Sequence, residues 1–141
     1  MFCMKFILHD RLARGGFDFG SYRRCRVLLK NNAFYPWFVV VPEVGDEVEE
    51  LTDLSEEQYQ EVMKLVHEVS EFVQQEFSLK KVNVGCVGIV VSQLHLHVVG
   101  RCEGDPAWPG VVWGCSDKKE YEEGEVERIK GMFLERFRRD A

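Results

Sequence analysis

Positive charge is the scarcer kind in this sequence: 18 lysines and arginines face 24 aspartates and glutamates, for a net charge of −6. That deficit argues against a nucleic-acid backbone as partner, because such binders carry basic surface. It leaves room for a mononucleotide, which needs only a few local donors. No apolar run approaches the roughly 20 residues of a membrane span. The apolar start Met1 to Leu8 meets His9, Asp10 and Arg11 too soon to serve as a secretory leader, so no membrane partner is expected. The five cysteines, Cys3, Cys25, Cys86, Cys102 and Cys115, are odd in number and lack any C-x-x-C pair. Neither a disulfide framework nor a structural zinc site fits that pattern; free, mostly buried thiols in a reducing cytoplasm do. With no repeat, low-complexity tract or linker, residues 1–141 read as a single domain able to bury its own core.

What is present is a globular balance, 45% hydrophobic and 30% charged, with legible periodicity. Leu8 to Leu12 has room for one helical turn, and Gly15, Gly16 and Gly20 punctuate the segment after it. Arg24 to Lys30 reads as a strand, Asn31-Asn32 as a turn, and Trp37 to Val41 as a strand buried on both faces, the pair forming an antiparallel hairpin. Ser55 and Gln58 make a capping box, with Leu54 and Tyr59 at the positions of a hydrophobic staple. The helix they start runs to about Phe77, with Tyr59, Val62, Met63, Val66, Val69 and Val73 on its apolar stripe. Two further strands lie at Lys81 to Cys86 and Leu94 to Arg101. A loop with aromatic anchors spans Cys102 to Cys115, and a last helix runs from about Lys119 to Arg139, with Val126, Ile129, Met132, Phe133 and Phe137 inward. Antiparallel strands around one long helix give an α+β domain.

The chemistry concentrates in Ser92-Gln93-Leu94-His95-Leu96-His97-Val98-Val99. Strand alternation sends Gln93, His95 and His97 to one side, and Leu94, Leu96 and Val98 to the other. Two imidazoles and an amide on one face of an apolar strand need partners or cost stability, so a functional cleft is the economical account. Three readings stand: histidines on a wet strand face, a metal pair lacking the third ligand a catalytic zinc usually has, or an imidazole nucleophile acting on phosphorus.

The run Gln-φ-His-φ-His-φ-φ, where φ is apolar, resembles the histidine triad (HIT) signature, with Gln93 in the first position. The hairpin ending Phe-Val-Val-Val-Pro, the capped helix, Val82-Asn83-Val84 and Val98-Val99-Gly100-Arg101 fall in the family's order. Asp105-Pro106-Ala107-Trp108-Pro109 and Val112-Trp113-Gly114 look like a bacterial branch carrying Gln-Leu-His-x-His. The resemblance, over roughly residues 8 to 115, implies a five-stranded antiparallel sheet with one long central helix and a C-terminal helix, paired into a homodimer. It also implies a nucleotide hydrolase or transferase acting on nucleoside phosphoramidates or dinucleoside polyphosphates.

On that resemblance, His95 attacks the α-phosphorus to give a nucleotidyl-histidine that water cleaves, while His97 and Gln93 hold phosphate oxygens. Asn31 or Asn32 meets the ribose, or else only forms the turn. Phe6, Leu8 and Val27 are possible base-pocket residues. Trp108 and Trp113 pack in the dimer interface, near the site, or as loop anchors. The partner implied is a small nucleotide; no cofactor is implied, since histidine chemistry on phosphorus needs no bound ion. Two departures stand out. Ile89 and Val90 occupy positions where relatives carry amide and hydroxyl donors, with Ser92 the one nearby hydroxyl to compensate, and Trp37 stands where many carry His. The first departure raises the alternative of a nucleotide-binding module without catalysis; a metal-dependent hydrolase is the third class.

Overall fold

In a strand buried on both sides, alternate residues serve two different cores, and this sheet is organised that way. The computed structural model describes residues 6–138. A short helix α1 (Asp10–Arg14) leads into strands β1 (Gly16–Tyr22), β2 (Cys25–Lys30) and β3 (Trp37–Pro42), then the long helix α2 (Glu56–Glu76), strands β4 (Lys81–Gly85) and β5 (Leu96–Arg101), and helix α3 (Glu125–Phe137). The strands form one sheet in the order β1-β2-β3-β5-β4, every neighbouring pair antiparallel. This is the α+β architecture expected, with β5 entering between β3 and β4.

One face of the sheet presents Val27, Leu29, Phe38, Val40, Leu96 and Val98 to the helices. Helix α2 answers with Val62, Leu65, Val66, Val69, Phe72 and Val73, and α3 with Ile129, Phe133 and Phe137. The Phe38 and Phe133 rings stack at 5.6 Å, and Phe72 meets both edge-on. The predicted capping box at Ser55 and Gln58 is formed reciprocally. Leu65 and Phe72 complete the stripe in place of Tyr59, which is 45% exposed.

The opposite face carries Leu28, Trp37, Val39, Val41 and Val99. Among the described residues, no helix of comparable length covers it. Phe6, Leu8 and Leu12 of the N-terminal segment, together with Val112 and Trp113, pack there instead. One cross-strand row on this face runs Leu28, Val39, His97, Gly85.

Four expectations are corrected. Residues 16–22 form a strand; its break in register between Asp18 and Ser21 accommodates Gly20 at φ +100°, whose N–H donates to the Asp18 carboxylate at 2.8 Å. The last helix starts at Glu125, because its preceding segment is tied to the Asn31-Asn32 turn: Ala33 N–H donates to Lys119 O at 2.6 Å and Tyr121 N–H to Asn31 Oδ1 at 3.0 Å. Gly124, at φ +91°, makes the corner into that helix. Of the described thiols, Cys25 is buried and Cys115 half-buried, while Cys86 and Cys102 are exposed; Cys3 lies outside the described residues. Val27 belongs to the helix-side core rather than to a base pocket.

Candidate active site

Strand β5 begins at Leu96, so His97 lies in the ladder and His95 just ahead of it. The alternation persists through this entry: Leu94 and Leu96 are buried in the helix-side core, and the two imidazoles lie together with ring centroids 5.0 Å apart. Both rings are largely withdrawn from water, His95 at 6% and His97 at 8% exposure, yet both line an open cleft of about 350 Å³.

Hydrogen bonding fixes what each ring offers. His95 Nδ1 lies 2.7 Å from the carbonyl oxygen of Gln93. A carbonyl only accepts, so Nδ1 carries the hydrogen and Nε2 keeps its lone pair. The indole nitrogen of Trp37 lies 2.9 Å from His97 Nδ1. An indole N–H only donates, so Nδ1 of His97 is the acceptor and its hydrogen is on Nε2. The neutral pair therefore leaves one lone pair, on His95, and one N–H, on His97, for a ligand. Burial lowers the His95 pKa, opposed by the Gln93 carbonyl, with the charges of Lys30 and His9 lowering it further. Burial pushes His97 down to about 3, assisted by His95 and Lys30. Both rings are neutral at pH 7.

The walls are aromatic and aliphatic. Trp37 and Trp113 each stand 5.6 Å from the His97 ring. Trp113 reaches that place because residue 85 is glycine: a Cβ there would lie 2.7 Å from the indole. Its loop is fixed by Arg101, which binds Asp105 through two nitrogens at 2.7 and 3.0 Å and donates to Asn83 Oδ1 and the Gly110 carbonyl. Leu28 and Val39 form part of the floor, and the Val87 to Val91 segment forms a rim. Ile89 and Val90 there are 83% and 76% exposed. Neither can donate a hydrogen bond.

The other expected residues lie around this cleft rather than in its lining. The side-chain amide of Gln93 accepts from His9 N–H at 2.8 Å and donates to the Ile7 carbonyl at 2.9 Å, which holds the N-terminal segment beside the site. Asn32 is buried, donating to Asp117 O and accepting from Phe34 N–H, and Asn31 accepts from Tyr121. Ser92 is exposed. Trp108 lies away from the histidines, its ring 5.8 Å from the Arg101 guanidinium. Among the described residues no group of three or more His, Cys, Asp or Glu is placed to hold a metal ion. Two charged cleft residues escaped the sequence reading, Lys30 and Arg11. Strand parity could have found Lys30, two residues from Leu28 on the same face.

The family model of the HIT domain matches residues 18–104. Comparison with curated proteins gives no match. Among solved structures, a histidine triad protein from Marinobacter aquaeolei is 37% identical, covers 97% of this chain and 99% of its own, and superposes with a TM-score of 0.91. One from Bradyrhizobium japonicum is 31% identical over 94% and 98% of the two chains, TM-score 0.90. One from Sinorhizobium meliloti is 32% identical over 93% and 96%, TM-score 0.89.

Proposed function

This chain belongs to the histidine triad (HIT) family, and from that premise we propose that it is a nucleotide hydrolase or transferase whose nucleophile is His95. Nε2 of His95 attacks the α-phosphorus of a nucleoside phosphoramidate or dinucleoside polyphosphate, the bond to the leaving group breaks, and water then cleaves the nucleotidyl-histidine. Splitting one displacement into two is the general advantage of covalent catalysis. His97 donates its Nε2–H to a phosphate oxygen, a preorganised donor in a dry site. Gln93 serves through both ends, its carbonyl holding the His95 hydrogen and its amide holding the N-terminal wall. Asn31 or Asn32, just past the end of β2, serves the ribose side, and Ser92 the rim.

One observation carries this reading: His95 Nδ1 is engaged by a carbonyl while the same ring borders an open cleft, so the free lone pair is the one a ligand meets. Incubation with adenosine phosphoramidate and a diadenosine polyphosphate panel tests it. Wild type should turn over and yield a trapped adenylyl adduct by mass spectrometry, and His95→Ala should do neither. The second reading, a binding module without turnover, is favoured by Ile89 and Val90 at the rim. Nucleotide binding with turnover no higher than that of His95→Ala would establish it.

The partner surface we assign is a second copy of this chain. Val84, Val87, Ile89 and Val90 expose apolar surface along edge strand β4 and the loop after it, an edge that soluble proteins usually cover or charge. Sedimentation at micromolar concentration should give twice the monomer mass. The described cysteines are all unpaired, which suits a reducing cytoplasm. No described helix is long and apolar enough to cross a membrane.

A further inference from the structure

We propose that Lys30, seconded by Arg11, selects the leaving group at this site, and that the group selected is an anionic phosphate rather than an amine. The inference rests on the reading of His95 as nucleophile and adds a residue that decides between its two substrate classes.

The first ground is charge. Arg11 and Lys30 are the charged residues lining the cleft, and both are positive. Among the described residues, neither has a carboxylate partner. Lys118 lies near enough to Lys30 to act on it electrostatically, and burial, with the Lys118 charge second, lowers the Lys30 pKa. A local concentration of cations in a chain of net charge −6 focuses anions on the cleft.

The second ground is position. Lys30 ends β2 on the face that carries Leu28, Val39 and His97. Its ammonium stands 5.0 Å from the centroid of the Trp37 ring, and the same indole bonds His97. The cation is thus one aromatic ring away from the imidazole that faces the phosphate. A half-buried ammonium without a carboxylate carries a desolvation cost. The indole face offsets part of it, and a ligand anion would offset the rest.

The third ground is the chemistry of departure. As the His95 Nε2–P bond forms, the bond from phosphorus to the leaving group breaks and its electron pair goes to the departing atom. A bridging oxygen departs on a phosphate that is stable as an anion, and it needs a counter-charge. A departing amine nitrogen must take up a proton. His97 is badly placed to give one: Trp37 occupies its Nδ1, its Nε2–H belongs to a neutral ring, and burial between two indoles resists the imidazolium. Ile89 and Val90 supply no proton from the rim.

The test is the ratio of kcat/KM for diadenosine tetraphosphate to that for adenosine 5′-phosphoramidate. Lys30→Met keeps the stem on Trp37 and should lower the ratio about tenfold or more, the worth of one charge-assisted hydrogen bond. Lys30→Arg should restore most of it, and Arg11→Ala should give a smaller drop. If Lys30→Met does not fold, Lys30→Gln carries the same comparison. An unmoved ratio overturns the proposal; so does a larger loss with the phosphoramidate, which would make Lys30 a proton donor. A binding arm separates this from the identity of the nucleophile. In a His95→Asn background, calorimetry with magnesium-free ATP and AMP should show a preference for ATP that Lys30→Met shrinks by a similar factor. Equal weakening of both nucleotides, or no preference, overturns the role of Lys30. A retained preference with no adenylyl adduct in wild type overturns only the role of His95.

Discussion

Replacing Trp37 with Phe removes one hydrogen from the site and keeps an aromatic ring in the slot. The hydrogen lost is the indole N–H that donates to His97 Nδ1 at 2.9 Å. With the ring only 8% exposed, water cannot readily replace that donor, and an unsatisfied buried acceptor costs about 1–3 kcal/mol. The smaller phenyl ring leaves a modest void besides, worth roughly 1 kcal/mol. A total near 2–4 kcal/mol corresponds to a fall in melting temperature of about 5–15 °C for a domain of this size. His97 can relieve part of the cost by moving its hydrogen from Nε2 to Nδ1, but it then presents a lone pair to the phosphate where it had presented a donor. Turnover should fall about a hundredfold, as when one preorganised donor is lost. Long-range proton–nitrogen NMR reads the tautomer directly: wild type should show His97 with hydrogen on Nε2, and Trp37→Phe should shift it to Nδ1 or a mixture. Trp37→His, which can retain a ring N–H, should recover part of the activity. A Trp37→Phe variant that keeps the Nε2–H tautomer and turns over within threefold of wild type would refute the reasoning.

The remaining predictions arise from burial. His97 titrates near 3 in the folded chain against about 6.5 unfolded, so the unfolded state binds more protons between those values. Stability is therefore full above about pH 6.5 and falls with acidification toward pH 3, by at most a few kcal/mol from this group; denaturant melts at pH 7, 5 and 4 should show the decline, and equal midpoints would contradict it. Gly85→Ala places a methyl 2.7 Å from the Trp113 indole, which should cost about 1–3 kcal/mol and red-shift tryptophan emission as the ring is displaced; unchanged emission and stability would show the packing to be loose. Arg101→Met leaves the Asp105 carboxylate buried and unpaired and should cost about 3–5 kcal/mol, with Asp105→Leu on the same chain recovering much of it, as read by chemical denaturation.

Local signals carried furthest in the sequence. The Ser55 and Gln58 box is complete within four residues, and it formed as read. The alternation in Leu94 to Val98 survives even though β5 starts at Leu96, because Leu94 and Leu96 must both reach the helix-side core. What failed depends on partners distant in the chain. Strand β1 carries Gly16 and Gly20, poor strand residues taken alone; it is a strand because it pairs with β2, where a Cβ at Gly16 would meet the Leu29 carbonyl at 2.5 Å. The residues before α3 have helical propensity, but bonds to Asn31 and Ala33 hold them against the turn after β2 and outside the helix. Lys30 looked like the polar end of a strand, and its lack of a carboxylate partner is a tertiary fact that no window of sequence contains.

The site takes its properties from a difference between the two faces of the sheet. Once Leu96 and Val98 commit one face of β5 to α2 and α3, alternation requires His97 to project from the other, and the same geometry brings His95 in beside it. Had a third long helix covered that face, two imidazoles would be sealed in hydrocarbon and their cost would select against them. The cover is instead the N-terminal segment, held by Gln93, and the Trp113 loop, held by Arg101 and Asp105. Arg11 and Leu12 of the first piece and Trp113 of the second line the cleft together with the two imidazoles. The site is thus dry enough to keep both imidazoles neutral and open enough to admit a ligand. Neutrality is what a nucleophilic nitrogen requires at pH 7, because a protonated ring has no lone pair to offer. On the proposed role of His95, the apolar walls that depress both histidine pKa values act on reactivity itself, and a pH–rate profile should show activity persisting into mild acid, where an exposed histidine would already be charged.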